Sequence, residues 1–204
     1  MLSIDRRFLF LHIPKTGGNS IQDLLRPFSD DRIVRLAPHQ DGVERFELRS
    51  DRYRTQKHST LADYRHEYGA ELFDRLFRFA CARNPWDRVV SFYFSPHRGR
   101  VEWNRDDFLR FIPGVQPMRH YLALPGDDSA TLAAAGRNVQ RFLRFESLQA
   151  DFDAVCADLG LAPMTLPQRN RSARGAYRDY YDDAARALVG ERFGDEAAFF
   201  GYAF

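Results

Sequence analysis

The chain has 204 residues, 44% of them hydrophobic and 28% charged, enough for one domain with a sizeable core. Its 30 Lys and Arg against 28 Asp and Glu leave a formal net charge of +2, which excludes a global attraction to nucleic acid or an anionic membrane; any basic effect must be local. No apolar stretch approaches a membrane span, no signal peptide is read ahead of the first strand, and two cysteines make no disulfide framework, so a cytoplasmic protein without a stable membrane anchor is the expectation.

Residues 6–13 form a nearly continuous apolar strand, the pattern of a parallel sheet covered on both faces. The strand breaks at Pro14-Lys15-Thr16-Gly17-Gly18, and a helix is predicted from about Asn19 to Leu25. Residues 30–57 are polar and arginine-rich and yield no assignment. Leu61 to Leu76 reads as one or two helices broken near Gly69. Phe77–Ala82 alternates large and small side chains as a strand, and a helix follows to about Ser95, with Pro85 suited to its first position. A short helix is predicted over Asn104–Ile112, a loop over Pro125–Gly136 and a strand over Val139–Phe145. Leu148, Phe152, Val155 and Leu159 form one helical stripe; Ala184, Leu188, Val189 and Phe193 form another. Cys81 and Cys156 read as buried core thiols. Strands alternating with helices predict one domain over 1–204: a P-loop-like open parallel α/β sheet flanked by helices, its ligand outside the strand carboxyl ends.

Two turns carry the chemistry. The first places Lys15 in a tight glycine turn at a helix start, where outward-pointing N–H groups, the helix dipole and an ammonium together make an anion cradle. Lys15 is one of only two lysines in an arginine-rich chain; Lys57 is the other. A lysine chosen at such a place supplies a compact point charge in preference to a planar fork. The lysine precedes its glycines, the reverse of the nucleotide-triphosphatase loop. The second turn is Arg83-Asn84-Pro85-Trp86-Asp87-Arg88-Val89-Val90-Ser91. Arg83 at the strand end and Ser91 two helical turns on suit a terminal phosphate. Asp87 with Arg88 reads as a helix ion pair, and Trp86 as core packing.

The order Pro-Lys-Thr-Gly-Gly-x-Ser resembles the 5′-phosphosulfate loop of sulfotransferases that use 3′-phosphoadenosine 5′-phosphosulfate. The Arg83–Ser91 stretch resembles the 3′-phosphate site of that family. Phe142–Leu148 with Asp151-Phe152, Leu166–Ser172, Tyr177–Tyr181 and the closing Phe200–Phe204 are similar to the corresponding parts of its tail. The chain thus resembles a small bacterial carbohydrate-type sulfotransferase, with gaps around 25–55 and 95–135. The resemblance implies donor contacts from Lys15, Thr16, Gly17, Gly18, Asn19 and Ser20 at the 5′ end. It implies contacts from Arg83 and Ser91 at the 3′-phosphate, and from Ser172 and Arg174 in the tail. Asn170 and Gly175 could join that tail loop, whereas Tyr177, Tyr180 and Tyr181 read as packing. Asn19 departs from the usual threonine, but its amide can still donate to a phosphate oxygen.

Sulfuryl transfer needs a base for the acceptor hydroxyl, and histidine is the default because its ordinary pKa lies near working pH. His58 holds a position between the two phosphate motifs that resembles that of the base in related carbohydrate sulfotransferases. His12, His120, Glu44 and Glu47 are the alternatives; His39, His66 and His97 read as solvated. Arg49, Arg52, Arg54 and Lys57 crowd the approach to His58, as a groove for an anionic glycan or as a solvated face. No cluster has metal-ligand spacing, so no metal is expected. The acceptor class implied is a small molecule or glycan, and no nucleic acid. Two rivals stand beside this reading: a P-loop-like phosphotransferase, and a non-catalytic nucleotide-binding module that keeps the donor site without turnover.

Overall fold

The computed structural model describes residues 1–36, 45–95, 98–99, 101–127, 131–167 and 174–204. Its centre is a four-stranded sheet in the order β1-β2-β5-β6, with β1 Leu2–Ser3, β2 Phe8–Leu11, β5 Phe77–Ala82 and β6 Arg141–Arg144. β2, β5 and β6 run parallel, but β1 is antiparallel to β2 through Leu2↔Leu9 and Ser3↔Phe8. The sheet is therefore mixed, not wholly parallel as expected. The physical reason is short: Ser3 to Phe8 is a tight return, and such a link can join only antiparallel neighbours.

β2 is buried along its whole length and divides its side chains between two cores. Leu9 and Leu11 face one core with Ala80 and Ala82 of β5. That face is covered by α2 Leu61–Tyr68, α6 Met118–Leu122 and α7 Leu132–Ala135, which supply Leu61, Tyr64, Met118, Leu122 and Leu132. Phe8 and Phe10 face the other core with Phe79 and Cys81, under α1 Gly18–Leu25 and α8 Leu148–Asp158. Ile21 and Leu25 anchor α1 there, each contributing about 1.5–3 kcal/mol by burial. A third core joins α4 Pro85–Tyr93, α5 Arg105–Phe111, α9 Asp183–Arg192 and α10 Gly194–Phe200 through Trp86, Tyr93, Phe108, Val189 and Phe193.

The helical break near Gly69 separates α2 from α3 Ala70–Asp74, with Gly69 at φ 76°. Pro85 begins α4 as expected, and Asn84 caps it by accepting from Trp86 N at 3.0 Å. Within 30–57 the described residues form an antiparallel pair, β3 Arg32–Leu36 and β4 Arg45–Arg49. α7 lies inside the stretch read as a loop, so that reading is corrected. On α9 the buried positions are Ala185 and Val189; Val189 belongs to the expected stripe, whereas Ala184 of that stripe is exposed. Cys81 and Cys156 are buried free thiols. Among the described residues no helix is long and apolar enough to cross a membrane.

Candidate active site

Leu11 of β2 is registered with Ala80 of β5, so these parallel strands end side by side. The Lys15 turn and the Arg83 turn therefore emerge on one edge of the sheet. They are joined directly: Arg83 Nη1 donates to the carbonyl of Lys15 at 3.1 Å.

The first turn is held from below. Lys15 has φ 66° and Gly17 φ 92°. A side chain at Gly17 would also meet the Phe145 ring at 2.8 Å, and one at Gly18 would meet the His12 ring at 2.5 Å. Both glycines are thus required by close approach, and Gly17 additionally by its left-handed backbone. Thr16 is fully buried and its hydroxyl closes the turn onto Ile13 O at 2.8 Å. Gly17 is the N-cap of α1 and has no side chain to cap it. α2, α4, α5, α7 and α9 instead start with capping side chains. α3, α6, α8 and α10 share this lack of a side-chain cap; at α1 it leaves the first N–H groups without a capping side chain, a donor set of the kind that can hold an anion. Ser20 is placed differently from a simple ligand: its N–H bonds Gly17 O at 3.3 Å and its hydroxyl donates to Pro167 O at 3.0 Å. Asn19 is half-buried in the first turn of α1, and Ser91 is buried on α4.

On one side of this turn lies a charge cluster. Arg83 presents Nε and Nη2 to Asp87 Oδ2, at 2.8 and 2.7 Å. Asp87 Oδ1 pairs with Arg174 Nη2. The Arg83 guanidinium also stacks 3.9 Å from the centroid of Phe145. Burial lowers Arg83 below the ordinary guanidinium value; Asp87 opposes that shift and the neighbouring Arg174 charge adds to it. Arg174 Nε is buried without a hydrogen-bond partner among the described residues, an unpaired donor that costs about 1–3 kcal/mol. Asp87 therefore does not pair with Arg88, as the sequence suggested. Residues two or fewer apart on a helix do not face each other, while i and i+4 do. Ser172 and Asn170 lie outside the described residues, as do His39, Glu44 and His97.

Arg88 is buried instead, donating to Pro14 O at 3.3 Å and Gln116 O at 2.7 Å and pairing with Glu196 at 3.3 Å. Glu196 also accepts from Met118 N. Burial raises the Glu196 carboxyl above its ordinary range while Arg88 opposes that shift, so loss of either partner strands the other. Glu196→Ala is expected to lower the unfolding free energy by about 3–5 kcal/mol in a denaturant titration. A loss below about 1 kcal/mol would show that the pair does not hold the Pro14 loop against α10. Glu146 was also unassigned by the sequence. It accepts from Asn84 N at 2.9 Å and from the Tyr202 hydroxyl at 2.8 Å, and so fixes the turn after Arg83.

The histidines sort on the other side of the turn. His12 is buried against Gly18 and bonds Gln22 Oε1 through Nδ1 at 2.7 Å. Burial first, then the His58 and Lys57 charges, push its pKa well below the ordinary value, so it stays a neutral packing group. His58 is exposed, its ring 4.8 Å from that of His12, with Nδ1 2.9 Å from His12 O. A carbonyl only accepts, so Nδ1 carries hydrogen, and the neutral ring keeps Nε2 as its basic nitrogen. His120 is exposed on α6 against Tyr121, and His66 is exposed on α2.

Lys57 reaches the same site. Its ammonium sits 3.6 Å above the Phe46 ring centroid and donates to Phe46 O at 3.3 Å. Burial and then the Lys15 charge lower its pKa to about 8, with Glu47 opposing. Both lysines of the chain thus lie close enough to feel one another. Among the described residues no group of three His, Cys, Asp or Glu is arranged to hold a metal ion.

The chain belongs to the sulfotransferase family, which it matches over residues 1–203. No curated protein and no solved structure matches it. The family supports sulfuryl transfer in general.

Proposed function

We propose that this member of the sulfotransferase family transfers the sulfuryl group of 3′-phosphoadenosine 5′-phosphosulfate to a hydroxyl on a sugar or glycoconjugate. The observation that carries the reading is the meeting of the Lys15 turn and Arg83 at one sheet edge, joined by the 3.1 Å bond from Arg83 to Lys15 O. The bound donor supplies an activated sulfuryl group on a phosphate leaving group. Lys15 and the uncapped N–H groups of α1 bind and neutralise the 5′ end. Arg83, Ser91 and Arg174 bind the 3′-phosphate. His58 takes the acceptor proton on Nε2, its ring oriented by the bond to His12 O. Support for a polar acceptor comes from Arg49, Arg52 and Arg54, which lie on and after β4, shortly before His58 in the chain, and are all three exposed.

Adenosine 3′,5′-bisphosphate is expected to stabilise the fold without magnesium. At about a hundred times its dissociation constant the gain is roughly 2.7 kcal/mol, read as a rise in melting temperature. No shift at millimolar ligand, beside a clear shift with magnesium ATP, would favour a phosphotransferase. Donor turnover with a panel of sugar hydroxyl acceptors then separates an enzyme from a binding module.

A further inference from the structure

We infer that Asp87 is a positioning residue that assembles Arg83 and Arg174 into one clamp for the donor's 3′-phosphate, an inference that rests on the donor reading above. Asp87 is the point where two distant parts of the chain meet. Oδ2 takes the side-on edge of Arg83, which comes from the end of β5. Oδ1 takes Arg174, which comes from the tail, 87 residues away. All three side chains are largely withdrawn from water, with relative exposures of 9%, 17% and 10% for Arg83, Asp87 and Arg174. Two guanidiniums around one carboxylate leave the cluster with one net positive charge, which is suited to an anion.

The carboxylate uses only part of what the arginines offer. A guanidinium has five N–H donors. Arg83 sends Nε and Nη2 to Asp87 and Nη1 to Lys15 O, leaving further donor capacity on both terminal nitrogens. Arg174 spends Nη2 on Asp87 and Nη1 on Gly175 O at 3.3 Å, while its buried Nε has no partner among the described residues. A phosphate has the acceptor oxygens to satisfy that donor. Without Asp87 the two guanidiniums repel and lose the carboxylate that orients them towards one another; Arg83 keeps Lys15 O and the Phe145 ring, while Arg174 keeps only Gly175 O.

Asp87→Asn separates this role from simple electrostatics, because the two predict opposite signs. Removing a negative charge from beside an anion site tightens binding by Coulomb attraction alone. Loss of the clamp weakens it. Calorimetric titration with adenosine 3′,5′-bisphosphate and adenosine 5′-phosphate reads the difference. Asp87→Asn is expected to weaken the bisphosphate by about tenfold to a hundredfold while changing the 5′-phosphate less than about twofold. Arg174→Gln, which takes the tail guanidinium away from the Asp87 carboxylate, is expected to erode the same preference and carries the test if Asp87→Asn does not fold. Tighter bisphosphate binding, or equal losses for both ligands, would overturn the inference. A wild-type protein that does not prefer the bisphosphate would instead overturn the donor reading itself, before any variant is compared.

Discussion

Lys15→Ala is expected to lower the maximal rate of sulfuryl transfer by about two to three orders of magnitude while weakening donor binding far less. The asymmetry follows from where charge develops. The leaving phosphate gains negative charge in the transition state, so an ammonium at the turn binds that state better than the ground state. Alanine is a clean replacement here for a structural reason. Lys15 already sits at φ 66°, and alanine meets the same backbone restriction, so the substitution adds no new strain. The bond that holds the turn is also kept, because Arg83 contacts the carbonyl of Lys15 and not its side chain. Lys57 would still contribute charge nearby, and its pKa of about 8 makes that contribution sensitive to pH. Lys15→Ala removes one of the two causes that lower the Lys57 pKa and so moves it up from about 8; residual donor affinity in the variant should therefore fall only as pH rises above that value, where Lys57 loses its proton. Single-turnover rates and donor titrations across pH 6.5–9.5 (roughly 1.5 units either side) measure both effects. Normal turnover in Lys15→Ala would put the centre of the mechanism elsewhere.

The parts of this site that were legible in the sequence are those with one dominant local cause. An apolar run ending in Lys15-Thr16-Gly17-Gly18 can hardly be other than a buried strand, a tight turn and a helix. Pro85 after Asn84 marks a helix start, and Gly69 marks a break. The β3–β4 pair was hidden because one face carries it: Ile33, Phe46 and Leu48 pack inward while Arg32, Glu47 and Arg49 dominate the composition. α7 has only four residues, too few for a periodic signal, and is set by the Thr131 cap on Ala134 N. β1 is shorter still, and its antiparallel pairing alone makes the sheet mixed. The charged residues were hardest. Asp87, Arg88, Glu146 and Glu196 each look like surface helix or strand charges, and each is assigned by a partner that is distant in the chain or four residues away. The Arg88–Glu196 pair spans 108 positions. Linear spacing carries no trace of such contacts, although it correctly brought Lys15 and Arg83 to neighbouring strand ends.

His58→Ala is expected to reduce turnover by about two to four orders of magnitude, the span of a positioned general base, with donor affinity nearly unchanged. The geometry sets His58 apart from its rivals. His12 is buried, neutral and packed under Gly18, so it orients His58 through its carbonyl and does not itself meet an acceptor. Because that carbonyl takes the Nδ1 hydrogen, the basic nitrogen of the proposed base is Nε2, and the two nitrogens are not interchangeable. His58→Gln tests the tautomer: its amide can still donate to His12 O but has no basic nitrogen, so it should match alanine in rate. His12→Asn should have a milder effect, since the backbone carbonyl remains. The rate of the wild type should fall at acid pH as the imidazole takes a proton, and this limb should vanish in His58→Ala. An acid limb that survives in His58→Ala, together with near-normal turnover, would move the base to Glu47 or His120. Glu47 is the first of the two to test, since its charge acts on Lys57, raising its pKa against the effect of burial. Glu47→Gln would then remove the limb that His58→Ala left in place.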